Sequence, residues 1–210
     1  MTKGLIFDLD GVITDTAEYH FLSWQRLAED EGLTFTRQDN EALRGVSRRA
    51  SLELMLKGKI FPEAKMQEMM TRKNAYYLDY VAHMTPDDLL KGVGEFLHEA
   101  RALGFKIGMG SASKNARLVC DRLQILPLFD VIGDGFSVVN GKPAPDLFVW
   151  VAGGLGLPPS DCVVFEDAEA GIDAALAGGF YAVGIGPAER VGKAHRLIAG
   201  LHEVNPQEFA

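Results

Sequence analysis

The sequence predicts an α/β fold, a Rossmann-like parallel sheet with helices on both faces, joined to an all-helical block. Three observations carry that expectation. From about Pro86 onward, short apolar runs alternate with stretches of helical periodicity, the rhythm of a parallel sheet with crossover helices. Several apolar runs stop at acidic or hydroxyl side chains, where strands of such sheets meet their ligands. Between the first apolar run and Pro86, the apolar spacing is helical throughout.

Taken in order, Gly4-Leu5-Ile6-Phe7 is an apolar run halted by Asp8, Asp10 and Gly11, the pattern of a buried parallel strand that ends in a loop. From Ala17 to Glu31, Phe21, Trp24, Leu27 and Ala28 recur at helical spacing, and Gly32 closes the segment. Helices are expected around Arg37 to Leu43, Arg48 to Leu56 and Pro62 to Val81, with breaks near Phe35, Gly45, Gly58 and Pro62. Val93, Phe96, Leu97, Ala100 and Leu103 then make one helical face, and Phe105 to Gly110 is a strand running into Ser111-Ala112-Ser113. A helix over Asn115 to Leu123 and a strand near Phe129 to Ile132 follow. Further on come a helix over Pro145 to Leu155, a strand over Cys162 to Phe165, a helix over Ala168 to Ala177 and a strand over Tyr181 to Ile185.

At roughly 150 residues per domain, 210 residues suit one domain with an elaboration. No repeat or long linker divides the chain, so the elaboration is expected as a compact insertion. A composition 47% hydrophobic and 24% charged excludes extended disorder. With 29 acids against 21 bases, the net charge of −8 weighs against nucleic-acid and anionic-membrane partners. The first apolar run meets Asp8 and Asp10 before it could form a signal or membrane segment, so a cytoplasmic location is expected. Cys120 and Cys162 have no metal-binding or disulfide spacing and are expected to be free thiols.

The acids at strand ends carry the chemistry. Side chains alternate along a strand, so Asp8 and Asp10 would face one side if the extended geometry continues. Glu166 and Asp167 add charge at the same sheet edge, and a hard divalent ion, Mg²⁺, would resolve the repulsion. A metal beside a carboxylate nucleophile suggests phosphoryl transfer through an aspartyl phosphate. Ser111 and the Ala112 amide, at an expected helix start, could hold phosphoryl oxygens, and Lys142 could offset their charge. Each cluster alone has an ordinary reading: a turn at Asp8 to Gly11, a cap at Ser111, first-turn acids at Glu166 and Asp167, a loop charge at Lys142. An EF-hand loop is ruled out by Tyr19 at the position that needs a bidentate Glu. All four clusters in order at strand ends favour the catalytic reading.

Phe7-Asp8-Leu9-Asp10-Gly11-Val12, Ser111, Lys142-Pro143 and Glu166-Asp167 resemble the four ordered motifs of the haloacid dehalogenase superfamily, over almost the whole chain. A narrower set is similar to its sugar phosphomutases: Asp10 to His20, Gly45-Val46-Ser47-Arg48, Arg72-Lys73-Asn74 and Ser111-Ala112-Ser113-Lys114-Asn115. The resemblance implies a catalytic core over 1–15 and 82–210 and a helical cap over 16–81. It implies Asp8 as nucleophile and Asp10 as general acid and base, with Mg²⁺ held by Asp8, the Asp10 carbonyl, Glu166 and Asp167. Ser111, Ala112 and Lys142 would hold the transferring phosphoryl group. Arg48, Ser113 and Asn115 would meet the sugar and its distal phosphate, with Lys114 nearby, and His20 and Lys73 would position the sugar and Asp10. Thr16 would lie at the hinge, and Trp24, Gly45, Val46 and Ser51 would complete the substrate site.

The activity so implied is interconversion of β-D-glucose 1-phosphate and glucose 6-phosphate through an aspartyl phosphate and β-glucose 1,6-bisphosphate, by a monomer rather than an oligomer. A Mg²⁺-dependent phosphatase of small sugar phosphates uses the same core and is the alternative. A non-enzymatic phosphoacceptor is a third reading, but it has no use for an acid/base such as Asp10. The chain departs from related sequences at Val138-Val139-Asn140-Gly141 before Lys142, at Ala168, from Gly58 to Lys65 and after Pro187.

Overall fold

Leu5, Ile6 and Phe7 have no exposed surface in the computed structural model, which describes residues 3–210. Their run is β1 (Gly4–Phe7), flanked in parallel by β2 (Lys106–Gly110) and β4 (Cys162–Glu166). With β3 (Val131–Gly133), β5 (Tyr181–Ile185) and β6 (Arg196–Ile198) the sheet has six strands in the order β3-β2-β1-β4-β5-β6. Every pairing is parallel, so each strand delivers its carboxyl end to the same edge.

The twofold alternation of strand side chains sorts the core into two layers. Leu5, Phe7, Ile107, Met109, Val163 and Phe165 point to one face, where α5 (Val93–Ala102) and α6 (Ala116–Arg122) cover them. Ile6, Val164 and Ala182 point to the other, under α7 (Asp146–Leu155), α8 (Glu169–Ala177) and α9 (Ala188–Val191). Burial on both faces is why these strands are apolar without alternation.

Between β1 and α5 the chain forms α1 (Ala17–Asp30), α2 (Arg37–Glu41), α3 (Arg48–Leu56) and α4 (Glu63–Val81). Their apolar stripes close on a separate core that includes Phe21, Trp24, Leu27, Leu52, Met55 and Met69. Tyr77 and Val81, at the far end of α4, belong instead to the sheet-side core. Where the chain leaves and re-enters the sheet, its two passages are tied: Leu90 N donates to Ile13 O at 3.0 Å, and Thr14 Oγ1 to Asp88 O at 2.7 Å.

Some expectations need adjustment. Strand geometry does not carry through Asp8 to Asp10. β1 ends at Phe7, Gly11 turns the chain with φ of 81°, and Asp10 pairs with Thr14 in an isolated bridge. The helix at Arg37 stops at Glu41, short of Leu43. Ser111 is not at a helix start either. Ser113 N donates to Ser111 Oγ at 3.0 Å and Asn115 N to Ser113 Oγ at 3.1 Å, holding a turn before α6. Cys120 and Cys162 are free and buried. Among the described residues no helix is long and apolar enough to cross a membrane.

Candidate active site

Asp8 follows β1 and stays in register with β4, its amide donating to Phe165 O at 2.9 Å. Lys142 Nζ, fully buried, donates to Asp8 Oδ1 at 2.6 Å and to Glu166 Oε2 at 2.7 Å. Burial pushes the Asp8 carboxyl above its ordinary range, and the Lys142 charge opposes that shift. Burial and then the nearby Asp8 charge also push up Glu166 and Asp167. For Lys142 burial works downward, yet the two carboxylates hold its ammonium above the usual lysine range. Gly11 lets this floor close: its φ is positive, and a Cβ there would overlap the Asp167 carboxylate.

Asp8, Glu166 and Asp167 each offer one carboxylate oxygen, all within 4.8 Å of one another and all buried. Three buried acids in so small a volume repel one another as anions; Lys142 reaches Asp8 and Glu166, and Arg44 and Arg190 reach Asp167 from its outer side, which leaves the shared space between the three carboxylates to a further cation. An all-oxygen donor set of this kind fits Mg²⁺.

Asp10 stands where sheet and helices meet. Burial works to raise its pKa, but His20 and then Thr16 outweigh that and hold the carboxyl below its ordinary value. Thr16 Oγ1 donates to Asp10 Oδ1, and His20 Nε2 stands 3.7 Å from the same oxygen. Lys73 Nζ lies 2.9 Å from His20 Nδ1, which leaves Nε2 as the ring's proton-bearing atom when the lysine donates. Lys73 is buried 4.9 Å above the rings of Trp24 and Tyr77. Burial first, and then Arg48, lower its proton affinity well below that of an ordinary lysine. The Tyr77 ring stacks on His20 at 4.3 Å, so the imidazole is fixed on two sides.

One cavity joins these groups. Asp8, Asp10 and Asp167 line it from the core, with Ala112, Ser113 and Lys114 from the loop after β2. His20, Trp24, Gly45, Val46, Arg48, Ser51 and Lys73 line it from the helical side. Thr16, Ser111, Lys142 and Glu166 are buried just behind the lining. Asn115 is not among the lining residues; its side-chain amide donates to Asn74 Oδ1 at 2.9 Å, joining the residue just before α6 to α4. Sequence reading passed over Ala17, Asn40, Leu43 and Arg44, which also line the cavity, and Arg190, whose Nε donates to Asp167 O at 2.6 Å. Arg44 directly precedes the Gly45 to Arg48 motif, so a wider reading of that motif would have reached it.

Comparison with known proteins bears on the chain and its fold as a whole. A family model described as haloacid dehalogenase-like hydrolase matches residues 2–179. The chain is 46% identical to a β-phosphoglucomutase of Bacillus subtilis over 88% of its length and 83% of that protein's. It is 34% identical to a fructose-1-phosphate phosphatase of Escherichia coli over 87% of its length and 95% of that protein's. The crystal structure of a β-phosphoglucomutase from Clostridium difficile superposes with a TM-score of 0.96 and 38% identity, covering 100% of this chain and 97% of the other. Similarity that spans nearly the whole chain in both sequence and fold makes this protein a member of the haloacid dehalogenase-like hydrolase family.

Proposed function

We propose that the protein is a β-phosphoglucomutase, interconverting β-D-glucose 1-phosphate and glucose 6-phosphate through an aspartyl phosphate and β-glucose 1,6-bisphosphate. One observation separates this reading from a phosphatase. Arg48 lines the cavity and, among the described residues, has no carboxylate within ion-pair distance, whereas its neighbour Arg49 is paired with both Glu53 and Glu63. A half-buried guanidinium left free on the wall facing Asp8 suits a second phosphate. Hydrolysis of a monophosphate needs no such group.

In this reading residues 16–81 act as a cap over the core. The Asp8 carboxylate attacks phosphorus, a bond forms to its oxygen and the bond to the sugar oxygen breaks. Asp10 protonates that departing oxygen and, in the reverse direction, takes the proton of the attacking hydroxyl. Mg²⁺, held by Asp8, the Asp10 carbonyl, Glu166 and Asp167, would supply charge for the phosphoryl oxygens. Lys142 favours the anionic form of Asp8, and Ser111 with the Ala112 amide would hold the transferring group. His20, held by Lys73, and Thr16 aim Asp10, so the acid/base depends on cap residues for its orientation. Lys114 and Ser113 complete the distal-phosphate side with Arg48.

The decisive assay combines the protein, Mg²⁺, β-glucose 1-phosphate and a trace of the bisphosphate. Glucose 6-phosphate should accumulate and be read by a coupled dehydrogenase. Release of orthophosphate without glucose 6-phosphate would overturn the mutase in favour of the phosphatase.

A further inference from the structure

The turn between α2 and α3 touches the core at the acidic site itself. Arg44 Nη1 donates to Asp167 Oδ2 at 3.2 Å, while its Nε holds Glu41 at 2.9 Å. Gly45 follows with φ of 71°, and a Cβ there would stand 2.9 Å from that of Ala168. Among the described residues Arg44 makes the one arginine or lysine ion pair between residues 16–81 and the rest of the chain. The core's own cations are engaged otherwise: Lys142 on Asp8 and Glu166, and Arg190 mainly on the Asp167 carbonyl, its Nη2 being 3.8 Å from Oδ2.

We propose that Arg44 is a counter-ion carried by the cap that competes with Mg²⁺ for Asp167, so that cation loading and seating of the Arg44–Gly45 turn oppose each other until sugar phosphate is bound. The inference rests on reading the buried carboxylates as the Mg²⁺ site. A guanidinium and a divalent ion on one carboxylate repel across a few ångströms of poorly screening protein. Linkage makes the effect mutual: whatever factor Arg44 takes from cation affinity, the cation takes from the seating of the turn. The cation-loaded protein therefore holds its cap less tightly and admits substrate, and the negative charge of a bound phosphate relieves the repulsion.

Equilibrium dialysis of the full chain against Mg²⁺, at fixed pH and without sugar phosphate, tests this. R44Q should bind Mg²⁺ about 5- to 10-fold more tightly than wild type. R44K keeps the charge and should stay near wild type. R49Q removes the same formal charge from the outward neighbour and should change nothing. A purely structural Arg44 would give weaker binding in R44Q, and either that or an unchanged affinity overturns the proposal. Wild-type protein that retains no Mg²⁺ sinks the metal reading and this inference with it, while unchanged R44Q affinity sinks the inference alone. The reciprocal measurement needs no variant: Mg²⁺ alone should increase the wild-type radius of gyration in solution scattering, and an unchanged or smaller radius also overturns the proposal.

Discussion

On the core wall of the cavity, Lys142 is shared between Asp8 and Glu166, and Asp167 takes Arg44 and Arg190, so each charge has a partner already in place. On the opposite wall, formed by the helices proposed as a cap, Arg44 reaches across to Asp167, but Arg48 and Lys73 are set into the cavity lining with no carboxylate in ion-pair range among the described residues. The outside of the same cap is different again, since Arg37, Lys57, Lys65 and Arg72 all sit against acids. A wall of self-paired charge is organised before any ligand arrives. Basic side chains without a carboxylate partner suit an anion that comes from elsewhere, and in the proposed mechanism the contrast separates reaction groups from recognition groups.

The comparison is broken most severely at its reacting atom. Asp8→Asn keeps the shape of the core wall but removes the nucleophile, and turnover should fall by about 10⁴-fold or more. Coupled detection of glucose 6-phosphate measures it. Retention of more than a hundredth of the activity would place the nucleophile elsewhere.

The core wall should also be the costlier one for stability. Lys142→Met leaves Asp8 and Glu166 buried without their shared ammonium, a change that costs about 3 to 5 kcal/mol. For a chain of this size the melting temperature in EDTA should drop by roughly 10 °C. Lys73→Met removes a buried amine that has no carboxylate to strand, so its melting temperature should move far less. Equal losses by differential scanning calorimetry would erase the distinction between the walls.

Recognition is tested at Arg48. Arg48→Ala should lower bisphosphate-dependent turnover on the order of 100-fold, because a charge-assisted contact to the distal phosphate is gone. Attack on a small acyl phosphate, which has no distal phosphate, should change little. Equal losses on the two substrates would return Arg48 to a structural role.

The two walls were not equally legible in the sequence. Strand ends announce themselves: the buried interiors of β1, β2 and β4 are apolar, and the first polar residues after those interiors are Asp8, Ser111 and Glu166, at or just past the carboxyl end of each strand. β6 gave no such signal, since Arg196–Ile198 has only 3 residues and a half-exposed Leu197. On the cap, Arg44, Arg48 and Arg49 look alike as letters, and only the helix phase and the Gly45 turn send one to Asp167, one to the cavity and one to solvent. The resemblance to known mutases picked out Arg48; composition and periodicity could not. Asp10 shows the same limit from the other side, because alternation along a strand says nothing once Gly11 has bent the backbone.

The smallest expected effect lies on the outside of the cap, where Glu31 accepts from Lys65 at 2.8 Å and also pairs with Arg72. Burial works to raise the Glu31 carboxyl, but the two cations outweigh it and hold its pKa below the ordinary 4.5. A carboxyl depressed in the folded state contributes stability that is present above the unfolded pKa and is lost as pH falls through the folded one. Glu31→Gln should therefore cost about 1 kcal/mol or less at neutral pH, shrinking to nothing as acid protonates the wild-type residue. Urea unfolding of both proteins at pH 7 and pH 3 measures that difference. A penalty that persists undiminished at pH 3 would mean that Glu31 acts through packing between α1 and α4. In that case Lys65 and Arg72 would gain little from Glu31 electrostatically, and the contrast between them and the unpaired Arg48 would narrow.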